Sequence, residues 1–186
     1  MRATIPGPDG QFRCRWCPAA PEILPFRERE WGFPVNDDSR LFEKLCLEGF
    51  QSGLSWRTIL AKRENFRAAF LGFDFDHITR FADADVERLL QGPGIVRHRG
   101  KIAAVVKNAR RAHELVKQEG SLASYVWRFE PKAFELSPPQ TWSVSAASVA
   151  MSKDLKRRLV LRRPHHRLCF HAGDGPDQRS RGELSH

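Results

Sequence analysis

One carboxylate sits where a helix should present only apolar side chains. Leu41, Leu45 and Cys46 fall on one face of a helix capped by Asp38 or Ser39. Glu48 comes seven positions after Leu41 and three after Leu45, in line with that stripe. Gly49 is expected to end the helix immediately afterwards. Trp31 and Trp56 lie on either side in sequence, with Phe26 shortly before Trp31. A carboxylate among aromatic faces suits a nucleobase flipped out of a duplex, which needs stacking on its faces and a polar group at its edge. An alkylated purine is electron-poor or cationic, so the rings would add a cation–π gain of about 0.5–2 kcal/mol. The competing assignment makes both tryptophans core residues and Glu48 a solvated residue at a helix end.

A second constellation is Gly92-Pro93-Gly94-Ile95 followed by Val96-Arg97-His98-Arg99-Gly100-Lys101. Two helices joined by such a basic, glycine-rich turn suggest a helix-hairpin-helix, whose backbone N–H groups hold a DNA phosphate without reading a base. An ordinary Gly-Pro connector has the same spacing. Leu54, just before a Ser55 cap, can pack on Ile59 as a hydrophobic staple. On an exposed loop it can instead wedge into a base stack. Cys14-x-x-Cys17 is half of a zinc spacing. No phosphate-binding glycine loop, serine-nucleophile motif or His-Glu-x-x-His helix is present.

The elements that must position these groups are helical. Trp56, Ile59, Phe66 and Phe70 have near-helical spacing after Ser55, and a short helix begins near Asp83 and runs through Val86, Leu89 and Leu90. Ile102, Val105, Val106, Ala109 and Val116 make an apolar stripe, with Lys107, Arg110, Arg111 and Lys117 mostly off it. Tyr125–Phe129 has strand propensity but sits in a helical setting and is assigned to a helix. No alternating strand pattern stands out. The 186 residues suffice for one compact all-α domain.

Composition limits the classes. The chain is 28% charged and 41% hydrophobic, as globular proteins are, with no apolar run long enough for a membrane span. Met1–Gln11 has no apolar signal core, so a cytoplasmic protein is expected. Against 22 acidic residues stand 31 Lys and Arg, a net charge of +9, which favours a polyanionic partner. Four scattered cysteines fit a reducing compartment better than a disulfide scaffold.

Longer strings are more specific than spacing. Glu30-Trp31-Gly32, Leu41-Phe42-Glu43, Cys46-Leu47-Glu48-Gly49, Gln51-x-Gly53-Leu54-Ser55-Trp56, Lys62-Arg63-Glu64-Asn65, the 94–102 string and Ser152-Lys153-Asp154-Leu155-Lys156 closely resemble the DNA-3-methyladenine glycosylase I family. The similarity runs from about Cys14 to Arg158. It implies a single helix-hairpin-helix glycosylase domain over residues 1–158, acting as a monomer on double-stranded alkylated DNA, with no membrane partner. The implied reaction flips out 3-methyladenine and hydrolyses its N-glycosidic bond. By the same resemblance Glu48 is the catalytic, base-recognising carboxylate, Trp56 its stacking partner, and Trp31 and Phe26 pocket aromatics. Leu54 corresponds to the DNA-inserting loop, and Gly94, Ile95, Arg97, Arg99, Gly100 and Lys101 to the phosphate-binding hairpin. The alternative from another class is a helix-hairpin-helix protein that binds DNA without catalysis.

Three departures stand out. The family closes its termini with a structural zinc; Cys14 corresponds to its first ligand, but Arg27 occupies the second position, and arginine cannot ligate a cation. A pocket tyrosine of the family is replaced by Ile23. Residues 159–186 lose periodic apolar spacing and contain His165, His166, His171 and His186. Permitted codons for Pro164 onward, read one base later, give PTIVYAFMQAMGLINDHVVNCH, which is similar to the family's closing helix with its His and Cys ligands. The tail therefore reads as frameshifted. As written, Cys14, Cys17, Cys169 and His171 would be the substitute metal set.

Overall fold

The computed structural model describes residues 4–6, 10, 12–14, 23–30, 33–130 and 146–160, the strands and Arg27 by backbone alone. The chain divides into two compact units. One takes in Met1–Pro34 and contains two short strands, β1 (Thr4–Pro6) and β2 (Phe12–Cys14), and the helix α1 (Ile23–Arg29). The strands pair antiparallel with Ile5 opposite Arg13. The sequence showed no strand here, because three residues are too few to display alternation.

The other unit, Val35–Glu130 with Val144–Leu168, carries the all-α architecture expected. Its helices are α2 (Asp38–Gln51), α3 (Trp56–Ala61), α4 (Arg63–Ala69), α5 (Phe75–Ile78), α6 (Asp83–Gln91), α7 (Arg99–Glu119), α8 (Leu122–Trp127) and α9 (Ala146–Arg158). α7 buries Ile102, Val105, Val106, Ala109, Ala112 and Leu115. Asn108, also buried on α7, accepts the Val160 N–H at 2.6 Å and ties the end of α9 to this helix. The Tyr125 segment is helical, and Tyr125 donates to Asp154 of α9 at 2.7 Å from a fully buried ring.

Three local expectations need correction. The cap of α2 is Asp37, whose carboxylate accepts the Arg40 N–H at 2.7 Å. Asp38 turns to α8 instead, accepting the N–H groups of Leu122 and Ala123 at 3.0 Å each, so one helix's first residue caps another. Gly49 does not end α2, which runs two residues further to Gln51, with Phe50 buried in the core. The chain turns at Gly53, whose φ of +81° is open to glycine at little cost. The helix expected after Ser55 is two helices, broken at Lys62 (φ −104°, ψ 3°). Beyond the break Phe66 and Phe70 come to 4.5 and 6.0 Å from Phe50, ring centre to ring centre.

Glu43 fixes α2 against α4. Its side chain is 4% exposed and takes Arg63 Nε at 2.5 Å and Arg67 Nε at 3.1 Å on Oε1. Arg67 also reaches Oε2 at 3.1 Å and Glu64 at 2.8 Å. Both oxygens of a buried carboxylate thereby have hydrogen-bonding partners.

Candidate active site and nucleic-acid interface

The last turn of α2 and the first residue of α3 bring Glu48 and Trp56 together. Glu48 follows Lys44 by one turn, and Lys44 Nζ donates to Glu48 Oε1 at 2.7 Å. The same nitrogen stands 4.2 Å from the centre of the Trp56 ring. Glu48 is 12% exposed and Lys44 23%, so the carboxylate is partly withdrawn from water yet not sealed in. Glu48 and the Trp56 ring thus share the Lys44 ammonium as a partner. Sequence reasoning passed over Lys44, although the four-residue spacing to Glu48 is the signal of a helical ion pair.

The turn between these helices is built from local chemistry. The Leu54 N–H bonds to the Gln51 carbonyl at 2.7 Å, and the Ser55 hydroxyl accepts the Thr58 N–H at 3.1 Å to start α3. Leu54, between them, is 39% exposed, a large apolar side chain presented to solvent. Lys101 braces this turn from the start of α7. Its ammonium donates to the carbonyls of Phe50 at 2.8 Å and Ser52 at 2.6 Å, groups that the end of α2 leaves without helical partners. Burial there pushes the Lys101 pKa below its usual value. The side chain expected at a phosphate is thus engaged inside the protein.

The hairpin is α6, residues 92–98 and α7. Gly94 has an ordinary φ; it is required by close approach, since a Cβ there would stand 2.9 Å from Asn65 Cγ. Lys62 Nζ donates to its carbonyl at 3.3 Å. Ile95 is buried and anchors the turn. His98 caps α7, its Nδ1 accepting the Lys101 N–H at 3.3 Å, and Gly100 lies against the His98 ring. Arg97 and Arg99 are exposed, and Arg99 pairs with Glu87 at 2.6 Å. Anchored glycines with exposed guanidinium groups make a rigid basic turn of the kind that holds a backbone phosphate.

A model of the methyladenine glycosylase family matches residues 16–160. The chain belongs to that family. DNA-3-methyladenine glycosylase 1 of Escherichia coli K12 is 42% identical over 150 residues, 78% of this chain and 80% of that protein. The DNA-3-methyladenine glycosylase of Haemophilus influenzae is 39% identical over 78% of this chain and 81% of its own length. A solved 3-methyladenine DNA glycosylase I from Staphylococcus aureus, studied for its recognition of 3-methyladenine, superposes with a TM-score of 0.74 at 29% identity. It is matched over 87% of this chain and 92% of that one. The fold class and the enzyme class inferred from the sequence, a DNA repair glycosylase hydrolysing N-glycosyl bonds, hold.

The remaining site residues divide by position. Phe26 is half-buried on α1, and Cys14 lies in β2. Trp31, Cys17, Cys169 and His171 lie outside the described residues, as does the frameshift reading of the tail from residue 161 on. Among the described residues no three His, Cys, Asp or Glu side chains group as metal ligands. Arg27 on α1 offers no donor to a cation, so the zinc set implied by the resemblance does not fit at that position. No helix among the described residues is long and apolar enough to cross a membrane.

Proposed function

We propose that this chain, acting as a monomer in the cytoplasm, excises 3-methyladenine from double-stranded alkylated DNA, with Glu48 and Trp56 holding the flipped base. The observation that carries the assignment is that Glu48 Oε1 and the Trp56 ring both contact the Lys44 ammonium. A cationic purine meets there the same carboxylate and the same ring face. Methylation at N3 already makes the base a good leaving group, which departs neutral with the electrons of the glycosidic bond. The site then needs to extract, stack and orient it rather than supply a strong acid. Glu48 accepts hydrogen bonds from the base edge and stabilises the positive charge that grows on the sugar before water adds at C1′. Leu54 fills the gap in the base stack, and the 94–101 hairpin grips the backbone through its N–H groups, Arg97 and Arg99.

The test is release of free 3-methyladenine from methylated duplex DNA by the chain as written. Release above the uncatalysed background is expected. Absence of release, with salt-sensitive DNA binding retained, would favour the binding-only alternative. Sequencing the gene across codons 159–186 would then decide between a genuine tail and a shifted frame.

A further inference from the structure

Lys44 already occupies the position that the proposed base would need. A purine stacked on Trp56 and donating an edge N–H to Glu48 must place a nitrogen about 3 Å from the carboxylate and over the ring. Lys44 Nζ, 2.7 Å from Glu48 Oε1 and 4.2 Å from the ring centre, meets both conditions. Two nitrogens cannot share that position. We propose that Lys44 is the resident cation of the base pocket, displaced when the flipped base enters and restored when it leaves. The proposal rests on the assignment of Glu48 and Trp56 to the base pocket.

The exchange has a direction. An alkylated purine carries a positive charge, so on entry it replaces the ammonium charge for charge. Once the glycosidic bond is broken the base is neutral, and the ammonium again outcompetes it for Glu48. Lys44 thus acts against retention of the product. A neutral base that enters must separate Lys44 from Glu48 without offering a charge in return, which makes the lysine a filter against undamaged purines.

Binding of free 3-methyladenine to the full chain, measured by calorimetry, tests this. Removing the resident cation in Lys44→Met is expected to tighten binding about 3- to 30-fold, the range for one partly buried ion pair with a cation–π contact. Lys44→Arg retains a competing cation and should stay near the wild type. Lys44→Gln, a good helix former, gives the same readout if the methionine variant is poorly soluble. Unchanged or weaker binding by the Met and Gln variants, while Glu48→Gln and Trp56→Ala lose binding, would overturn the role of Lys44 and leave the pocket standing. Insensitivity to Glu48→Gln and Trp56→Ala would overturn the pocket itself. A structural role for Lys44 cannot produce tighter binding, so that result separates the two.

Discussion

Glu43 and Glu48 stand five residues apart on one helix, and the structure gives them opposite duties. Glu43 is nearly sealed from water and holds two guanidinium groups, Arg63 at 2.5 Å and Arg67 at 3.1 Å. Glu43→Gln keeps the shape and removes the charge, so Arg63, 15% exposed, loses its ion pair with Glu43. Breaking a buried pair in this way costs about 3–5 kcal/mol. Arg67 is 35% exposed and keeps Glu64, so its share is small and the lower end of that range applies, about 3 kcal/mol. With a urea dependence of about 2 kcal/mol per molar, the unfolding midpoint should fall by about 1.5 M. Tryptophan fluorescence in urea reads this directly. Replacing Glu43 by Leu together with Arg63 and Arg67 by Met should recover part of the loss, because no charge is then left buried. Below its transition, Glu43→Gln should release base at the wild-type rate. A midpoint within about 0.3 M of wild type would refute the argument that the Glu43 charge holds these arginines.

Four further perturbations separate the duties of the hairpin and its neighbours. Lys101→Met should lower stability by about 1–3 kcal/mol, because two carbonyls lose a charged donor, while the salt slope of DNA binding changes little. Arg97→Ala should do the reverse, reducing that slope by about 0.9 with no change in melting temperature. Gly94→Ala should cost about 1–3 kcal/mol through its approach to Asn65, and Gly94→Ala with Asn65→Ala should restore most of it, as read by thermal melting. Asp85 is held below the usual aspartate range by the Ala82 N–H first and by Arg88 next. Its contribution to stability is therefore complete above pH about 4 and disappears as pH falls through the lowered folded value. The stability gap between wild type and Asp85→Asn should narrow on acidification from pH 5, measured by urea unfolding at each pH.

What the sequence disclosed was local. The Ser55 cap, α6, the apolar stripe of α7 and the helix around Tyr125 each follow from a few adjacent residues. Other features depend on partners far along the chain. Asp38 reads as a helix cap until α8, more than eighty residues later, supplies two N–H groups for it. Lys101 lies in the basic turn by sequence, and only the end of α2 shows that its ammonium also holds two carbonyls. Gly94 falls in the glycine-rich turn by sequence, and only the position of Asn65 shows that close approach, not φ, demands it. The carboxylate in the apolar stripe was legible as an anomaly. Its neighbour Lys44 was legible too, from spacing alone, but a lysine on a helix surface attracts no suspicion until a ring is found beneath it.

Single-turnover release of 3-methyladenine by wild type and Glu48→Gln is the most direct test of the pocket. The two proteins should melt within a few degrees of each other, since the Glu48–Lys44 pair is partly exposed and one helical ion pair is worth little. The chemical step should slow by about 100-fold or more, the usual effect of removing one group that stabilises transition-state charge, while DNA binding persists. A folded Glu48→Gln protein that releases base within about twofold of the wild-type rate would show that the carboxylate at the end of α2 is not the catalytic group.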